Sequence, residues 1–178
     1  TWGSRVIHLN SILEKTGEFT LGNGGNIVEH ICTGDSSDIW VALMGGGLGH
    51  LFPETGEAEI FTASDGLSNN VTYSILRDSR GFLWISTNQG ISVFNPASRF
   101  FRNYGKAEGL LIEEFDSDSY FKAASGEMLF GGVGGVVMFH PDTISGYQRN
   151  KDFMTLTITD LTVSGLEYQS EKAPYESD

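Results

Sequence analysis

The chain has 178 residues, 39% hydrophobic and 12% aromatic, with 23 Gly and only 4 Pro. This composition excludes disorder, and many Gly with few Pro suit tight turns between ordered strands. Eleven Lys and Arg stand against 23 Asp and Glu, a formal net charge of −12, which disfavours nucleic acid and anionic lipid as partners of this segment.

No apolar run is long enough to span a bilayer, and no basic-then-apolar leader opens the chain. Residues 1–22 carry two short β-type runs, "RVIHLN" and "GEFT". Three units then follow, at 26–67, 70–110 and 114–148. Trp40 and Trp84 are 44 residues apart, and Gly47 and Gly90 are 43 apart. Pro53, Pro96 and Pro141 follow at 43 and 45. Several landmarks holding one period are a stronger signal than any single motif.

Within the second unit, β-type runs are expected at 71–77, 83–87, 91–95 and 100–104, separated by "DSRG", "NQG" and "NPAS". No window sustains an i, i+3, i+4 apolar pattern, so helix is nearly absent. Four short strands every 43 to 45 residues is the pattern of a β-propeller blade. One such sheet cannot bury both faces alone; radial stacking does it. Apolar runs such as "FLWIS" and "MLFGGVGGVVMF" are expected as inner strands. Trp40, Trp84 and Phe94 are expected as repeat core, with Gly47, Gly90, Pro53 and Pro96 as its turn landmarks. In the third unit Met128 is expected to replace the Trp.

The fold class expected is all-β: a partial propeller of about 3.5 four-stranded blades. Its parts are the outer half of a blade at 1–22, blades at 23–68, 69–111 and 112–150, and a further start at 151–178. Such a piece leaves apolar faces open. They would be covered by a second copy, a homodimer approximating a seven-bladed ring, or by the remaining blades of a longer protein.

Gly66-Leu67-Ser68-Asn69-Asn70, Val71, Ile75, Asp78, Gly81, Leu83-Trp84-Ile85, Thr87, Gly90-Ile91, Phe94 and Pro96 form a pattern similar to the two-component-regulator propeller repeat. That repeat occurs in periplasmic sensor regions of hybrid two-component systems of gut Bacteroidetes. Residues 108–144 resemble the final blade of such a sensor. "MTLTITDLTVSGLEYQ" at 154–169 resembles the first strands of the Ig-like, triple-tyrosine domain that follows it. The resemblance implies a non-catalytic, periplasmic sensor segment. An oligosaccharide would bind outside the cytoplasm. The signal would pass through the Ig-like domain and a downstream membrane helix to a histidine kinase. No cofactor is implied.

A ligand would be held by loops on one propeller face. The candidates join adjacent blades: Asp65, Ser68, Asn69, Glu108 and Glu113. Their plainer role is turn formation. His8, His30, His50 and His140 show no zinc spacing. "IEEFDSDSY" lacks the Gly and closing Glu of a calcium loop and reads as a solvated loop or a polar contact to a sugar. "GGVGGVV" feeds a strand, where phosphate binding needs a helix start. Cys32 reads as a small buried hydrophobe. Two other functions stay open: a propeller carbohydrate-active enzyme, which needs an acid and a base on one pocket, and a protein-interaction scaffold, which lacks the Gly-His and Trp-Asp signatures.

Overall fold

The computed structural model describes residues 5–22, 26–34 and 38–144, and the backbone of 161–163 and 166–168. Two units are distinguished, Thr1–Ile144 and Ser145–Asp178. In the first, β1 (Arg5–Leu9) and β2 (Lys15–Thr20) form an antiparallel hairpin. β3 (Ile27–Thr33), β4 (Ile39–Met44), β5 (Gly47–Phe52) and β6 (Glu57–Phe61) make a four-stranded antiparallel sheet in sequence order. β7 (Thr72–Arg77), β8 (Leu83–Thr87), β9 (Gly90–Asn95) and β10 (Phe100–Tyr104) repeat it. β11 (Phe115–Lys122), β12 (Met128–Gly132) and β13 (Gly135–Phe139) form a three-stranded sheet. The fourth strand expected in that unit falls on 145–150, outside the described residues. In the second unit β14 (Leu161–Val163) pairs with β15 (Leu166–Tyr168). Apart from that hairpin, residues 151–178, where an Ig-like start is expected, lie outside the described residues.

The strands of the second sheet agree with the expected runs to within one residue. Punctuation explains this. Pro53 and Pro96 directly follow β5 and β9, half-buried, where a missing N–H ends the ladder. Helix is confined, among the described residues, to three-residue 3-10 turns at Ala63–Asp65, Lys106–Glu108 and Pro141–Thr143.

The sheets stack face to face. The β1–β2 hairpin covers one face of the first sheet through Phe19 and Leu21, against Val41, Leu43 and Leu51. The opposite face carries Trp40, Ala42, Leu48 and Phe61 and meets Ile75, Leu83, Ile85 and Phe94 of the second sheet. Trp40 lies edge-on to Phe94, with centroids 5.5 Å apart. Trp84 leaves the far face of the second sheet and sits 4.8 Å from Phe139 of the third. Each such side chain, fully buried, contributes on the order of 2 kcal/mol. Among the described residues the stacking stops at the far face of the third sheet. Phe121, Leu129 and Met138 are register partners there. Phe121 and Met138 are 61% and 64% exposed.

Two expectations are corrected. The apolar runs are not the innermost strands. β7 packs against both β3 and β11, so the first strand of each sheet lines the axis. From Leu83 onward "FLWIS" lies in β8, the second strand, which is buried throughout, whereas β3 is only half-buried. A middle strand has a neighbour at each edge, which an inner strand lacks; β7, flanked by β3 and β11, is still buried at four of its six residues. Nor does Met128 replace the Trp. The Asp78 turn closes with Asp78 N–H to Phe82 O at 2.9 Å and Gly81 N–H to Asp78 O at 3.1 Å. Ala123 N–H to Glu127 O at 2.8 Å and Gly126 N–H to Ala123 O at 3.0 Å repeat that turn. In this register Met128 pairs with Phe139 as Leu83 pairs with Phe94, and Leu129 takes the place of Trp84. The Trp84 Nε1–H donates to Asp78 Oδ2 at 3.2 Å. In the third sheet Ala123 stands at the Asp78 position, so the indole and its acceptor are lost together.

Cys32 is half-buried against the first core cluster rather than enclosed. Burial pushes its thiol up, which keeps it unreactive.

Adjacent sheets are also clasped by polar groups. Gly47 N–H donates to Asn70 O at 2.8 Å, and Gly90 N–H donates to Glu113 O at 2.7 Å. Thr72, fully buried, reaches back from β7 into the β4–β5 turn. Its Oγ1 accepts from Leu43 N–H at 2.7 Å and lies 2.8 Å from Gly47 O, its acceptor. Thr72→Val keeps the shape and strands both groups, so equilibrium denaturation is expected to show a loss of about 1–3 kcal/mol. No loss would mean that water reaches this turn.

Candidate functional site

The connectors between sheets are built twice by one plan. Each starts with a 3-10 turn whose leading N–H is held by an acid three residues on. Thr62 N–H donates to Asp65 Oδ2 at 2.8 Å, and Gly105 N–H donates to Glu108 Oε2 at 2.8 Å. The next N–H is held from further along. Ala63 N–H donates to Asn70 Oδ1 at 2.7 Å, and Lys106 N–H donates to Glu113 Oε1 at 3.1 Å. Gly66 and Gly109 end the two turns in the left-handed region, φ 107° and 91°, where a side chain is disfavoured.

Both connectors lie at the same end of the sheets as the β8–β9 turn. Together they enclose a cleft of about 500 Å³, lined by Ser68, Gln89, Asn103, Tyr104, Lys106, Glu108 and Glu113 among others. Of the five expected ligand residues, Ser68, Glu108 and Glu113 line it. Asp65 and Asn69 sit on the adjoining connector and do not.

All five hold their turns. Ser68 shares a hydroxyl network with Thr87 at 2.9 Å and Ser92 at 2.8 Å. Asn69 Oδ1 accepts from Val71 N–H at 2.8 Å, an Asx turn. Glu113 Oε2 lies 2.9 Å from Lys106 Nζ. These bonds to the Lys106 side chain and N–H hold the Glu113 carboxyl below its usual range. Asp65 and Glu108 keep exposed carboxylates at the mouth of their turns.

Sequence reasoning missed Asn70, Gln89, Asn103 and Tyr104. Asn103 Nδ2 donates to Gly66 O at 2.9 Å, and its Oδ1 accepts from Ser92 Oγ at 2.8 Å. The amide thus ties the cleft wall to the first connector. Tyr104 stacks on Trp84 at 5.9 Å, and its hydroxyl is buried with no hydrogen-bond partner among the described residues. Burial pushes that phenol up, so it stays a neutral donor. The spacing of 43 residues between Asn70 and Glu113, and between Asp65 and Glu108, is the signal that could have found the connector plan. The cleft combines amides, hydroxyls, one ion pair and the Glu108 carboxylate, all of them hydrogen-bonding groups.

A second cleft, about 390 Å³, opens at the other end of the sheets beside Asp78, Lys122, Ser125, His140 and Asp142. "IEEFDSDSY" is not a loop from Phe115 onward. It enters β11, which carries an irregularity between Phe115 and Tyr120, with Asp118 at φ 56°.

Residues 66–89 match the family model of the two component regulator propeller. Histidine kinase P4 of Formosa agariphila is 35% identical over 81 residues, 46% of this chain and 6% of that protein. The extracellular domain of BT3049 of B. thetaiotaomicron, assigned as a hybrid two component system, superposes with a TM-score of 0.69 at 26% identity. That match covers 80% of this chain and 20% of the other. Virginiamycin B lyase from Staphylococcus aureus superposes with a TM-score of 0.59 at 17% identity, over 77% of this chain and 48% of the lyase. At that identity only the fold is shared. The chain therefore spans a small part of its sensor relatives. Residues 66–89 are a two-component-regulator propeller repeat, and the sheets of residues 5–144 are propeller blades similar to those of a two-component-system extracellular domain.

Proposed function

We propose that this chain is part of the periplasmic ligand-sensing region of a hybrid two-component histidine kinase, that it detects an oligosaccharide, and that it is not itself catalytic. One observation chiefly supports this reading: the repeat matched at residues 66–89 runs through the wall of the polar cleft. Ligand capture by the connectors would pull on β7 and β11 directly, because Asn70 and Glu113 bond to the connectors by side chain and to the preceding sheet by carbonyl. The signal then leaves through an Ig-like domain and a membrane helix further along the protein.

The open face at Phe121, Leu129 and Met138 is best covered by remaining blades of the longer polypeptide. In a ring of two copies, each copy would bring the same β1–β2 pair, and neither would supply the missing inner pair beside it.

The test is calorimetric titration of an oligosaccharide panel into the complete extracytoplasmic region, with this chain in parallel. Binding is expected, and Gln89→Ala is expected to weaken it by about tenfold through loss of one amide contact. Binding by the complete region that Gln89→Ala leaves untouched moves the site to other blades. Binding of a protein and of no sugar ends the oligosaccharide reading.

A further inference from the structure

His30 sits where the innermost strands of three successive sheets meet. Its register partner is Ala42, which belongs to the first core cluster, so its ring points from the first sheet toward the second. There its Nδ1 lies 3.0 Å from the backbone N of Ile75 on β7 and accepts that N–H. Its ring also lies against Tyr120 of β11, with centroids 4.3 Å apart. One imidazole thus touches β3, β7 and β11.

We propose that His30 is an acid-sensitive tie between the three inner strands, holding them only while its ring is neutral. An Nδ1 that accepts from Ile75 cannot carry a proton. The neutral ring must therefore be the Nε2–H form. Protonation sets two N–H groups against each other and leaves the Ile75 amide without its acceptor.

The surroundings favour the neutral ring. Burial lowers the affinity of His30 for a proton, and Asp118 of β11 opposes that in part. Tyr120 is the other titratable group of β11 against it. The titratable side chains that β7 carries are Tyr73 and Arg77; on β3 itself they are Glu29 and Cys32. A histidine whose affinity for protons falls on folding leaves the unfolded chain binding more of them. Its contribution to stability is complete above the unfolded value of about 6.5 and is lost as pH falls below it.

The experiment is amide hydrogen exchange on the full chain, corrected for intrinsic rate, with the His30 ring followed by NMR. Protection of Ile75 is expected to drop about tenfold or more between about pH 7 and pH 5, in step with the His30 titration. His50→Gln, a half-buried histidine stacked on Trp40 at 3.8 Å, is expected to leave that drop in place. His30→Asn, which retains an acceptor, is expected to abolish it. Constant Ile75 protection overturns the proposal. So does a drop that survives His30→Asn. If that variant fails to fold, the ring titration in the native chain decides alone: an Nδ1–H form at neutral pH overturns the tie.

Discussion

Replacing Trp84 with alanine is expected to lower the stability of the chain by about 3–5 kcal/mol, a fall in Tm on the order of 10 °C for a domain of this size. Three losses combine. The indole is fully buried, so its removal opens a cavity between the second and third sheets. Its contacts to Phe139 at 4.8 Å and Tyr104 at 5.9 Å go with it. Asp78, itself buried, loses the N–H that its Oδ2 accepts and keeps Arg80 as a partner at 3.0 Å. Trp84→Phe separates these effects. It retains most of the bulk, so its cost is expected near 1–3 kcal/mol, from the hydrogen bond to a charged acceptor. Leu129→Ala is the control. It stands at the same place in the repeat but on the open face, and is expected to cost under about 1 kcal/mol. Urea denaturation followed by tryptophan-independent circular dichroism measures all three. Equal losses at 84 and 129 would mean that the third sheet is covered on both faces.

Gly90→Ala is expected to be as damaging as a core truncation, by about 3 kcal/mol or more. Gly90 has φ 85°, and a Cβ there would run into the carbonyl oxygen of Tyr104. Strain from the left-handed conformation alone accounts for about 1–2 kcal/mol. The rest comes from forcing β10 away, which also disturbs the N–H bond to Glu113 O. Gly109→Ala isolates the first contribution, because Gly109 has φ 91° and an added Cβ would have nothing within 4 Å of it. It should lose only the conformational part. If the two variants unfold at the same denaturant concentration, the close approach at Gly90 carries no weight.

Much of this architecture is legible in the sequence because the same parts recur. The strands of the second sheet are bounded by a Gly turn, Asn-Pro and an Asp-x-x-Gly turn, whose local chemistry needs no tertiary information. Depth in the stack is not local. A run such as "FLWIS" announces burial without saying whether it comes from the axis or from neighbouring sheets. Aligning "GEMLFGG" by bulk, rather than by the Asp78 turn, misplaces the Trp replacement by one residue. Counting from Gly81 to Gly126 puts Leu129 in the indole's place. At the cleft, chain order points to the connectors but not to Gln89 and Asn103, which reach it from a strand turn and from β10. Neighbouring asparagines also differ in reach, which sequence does not reveal: Asn69 closes its own turn, while Asn70 bonds to Ala63.

Where a ligand touches the blades is the most direct test of the sensing role. Hydrogen exchange of the complete extracytoplasmic region, with and without a bound oligosaccharide, measures that. Slower exchange is predicted at 62–68, 88–90 and 103–113, the connectors and turn around the cleft. Slower exchange at 78–81, 123–126 and 140–142 instead would place the ligand in the opposite cleft and contradict the site proposed for this chain.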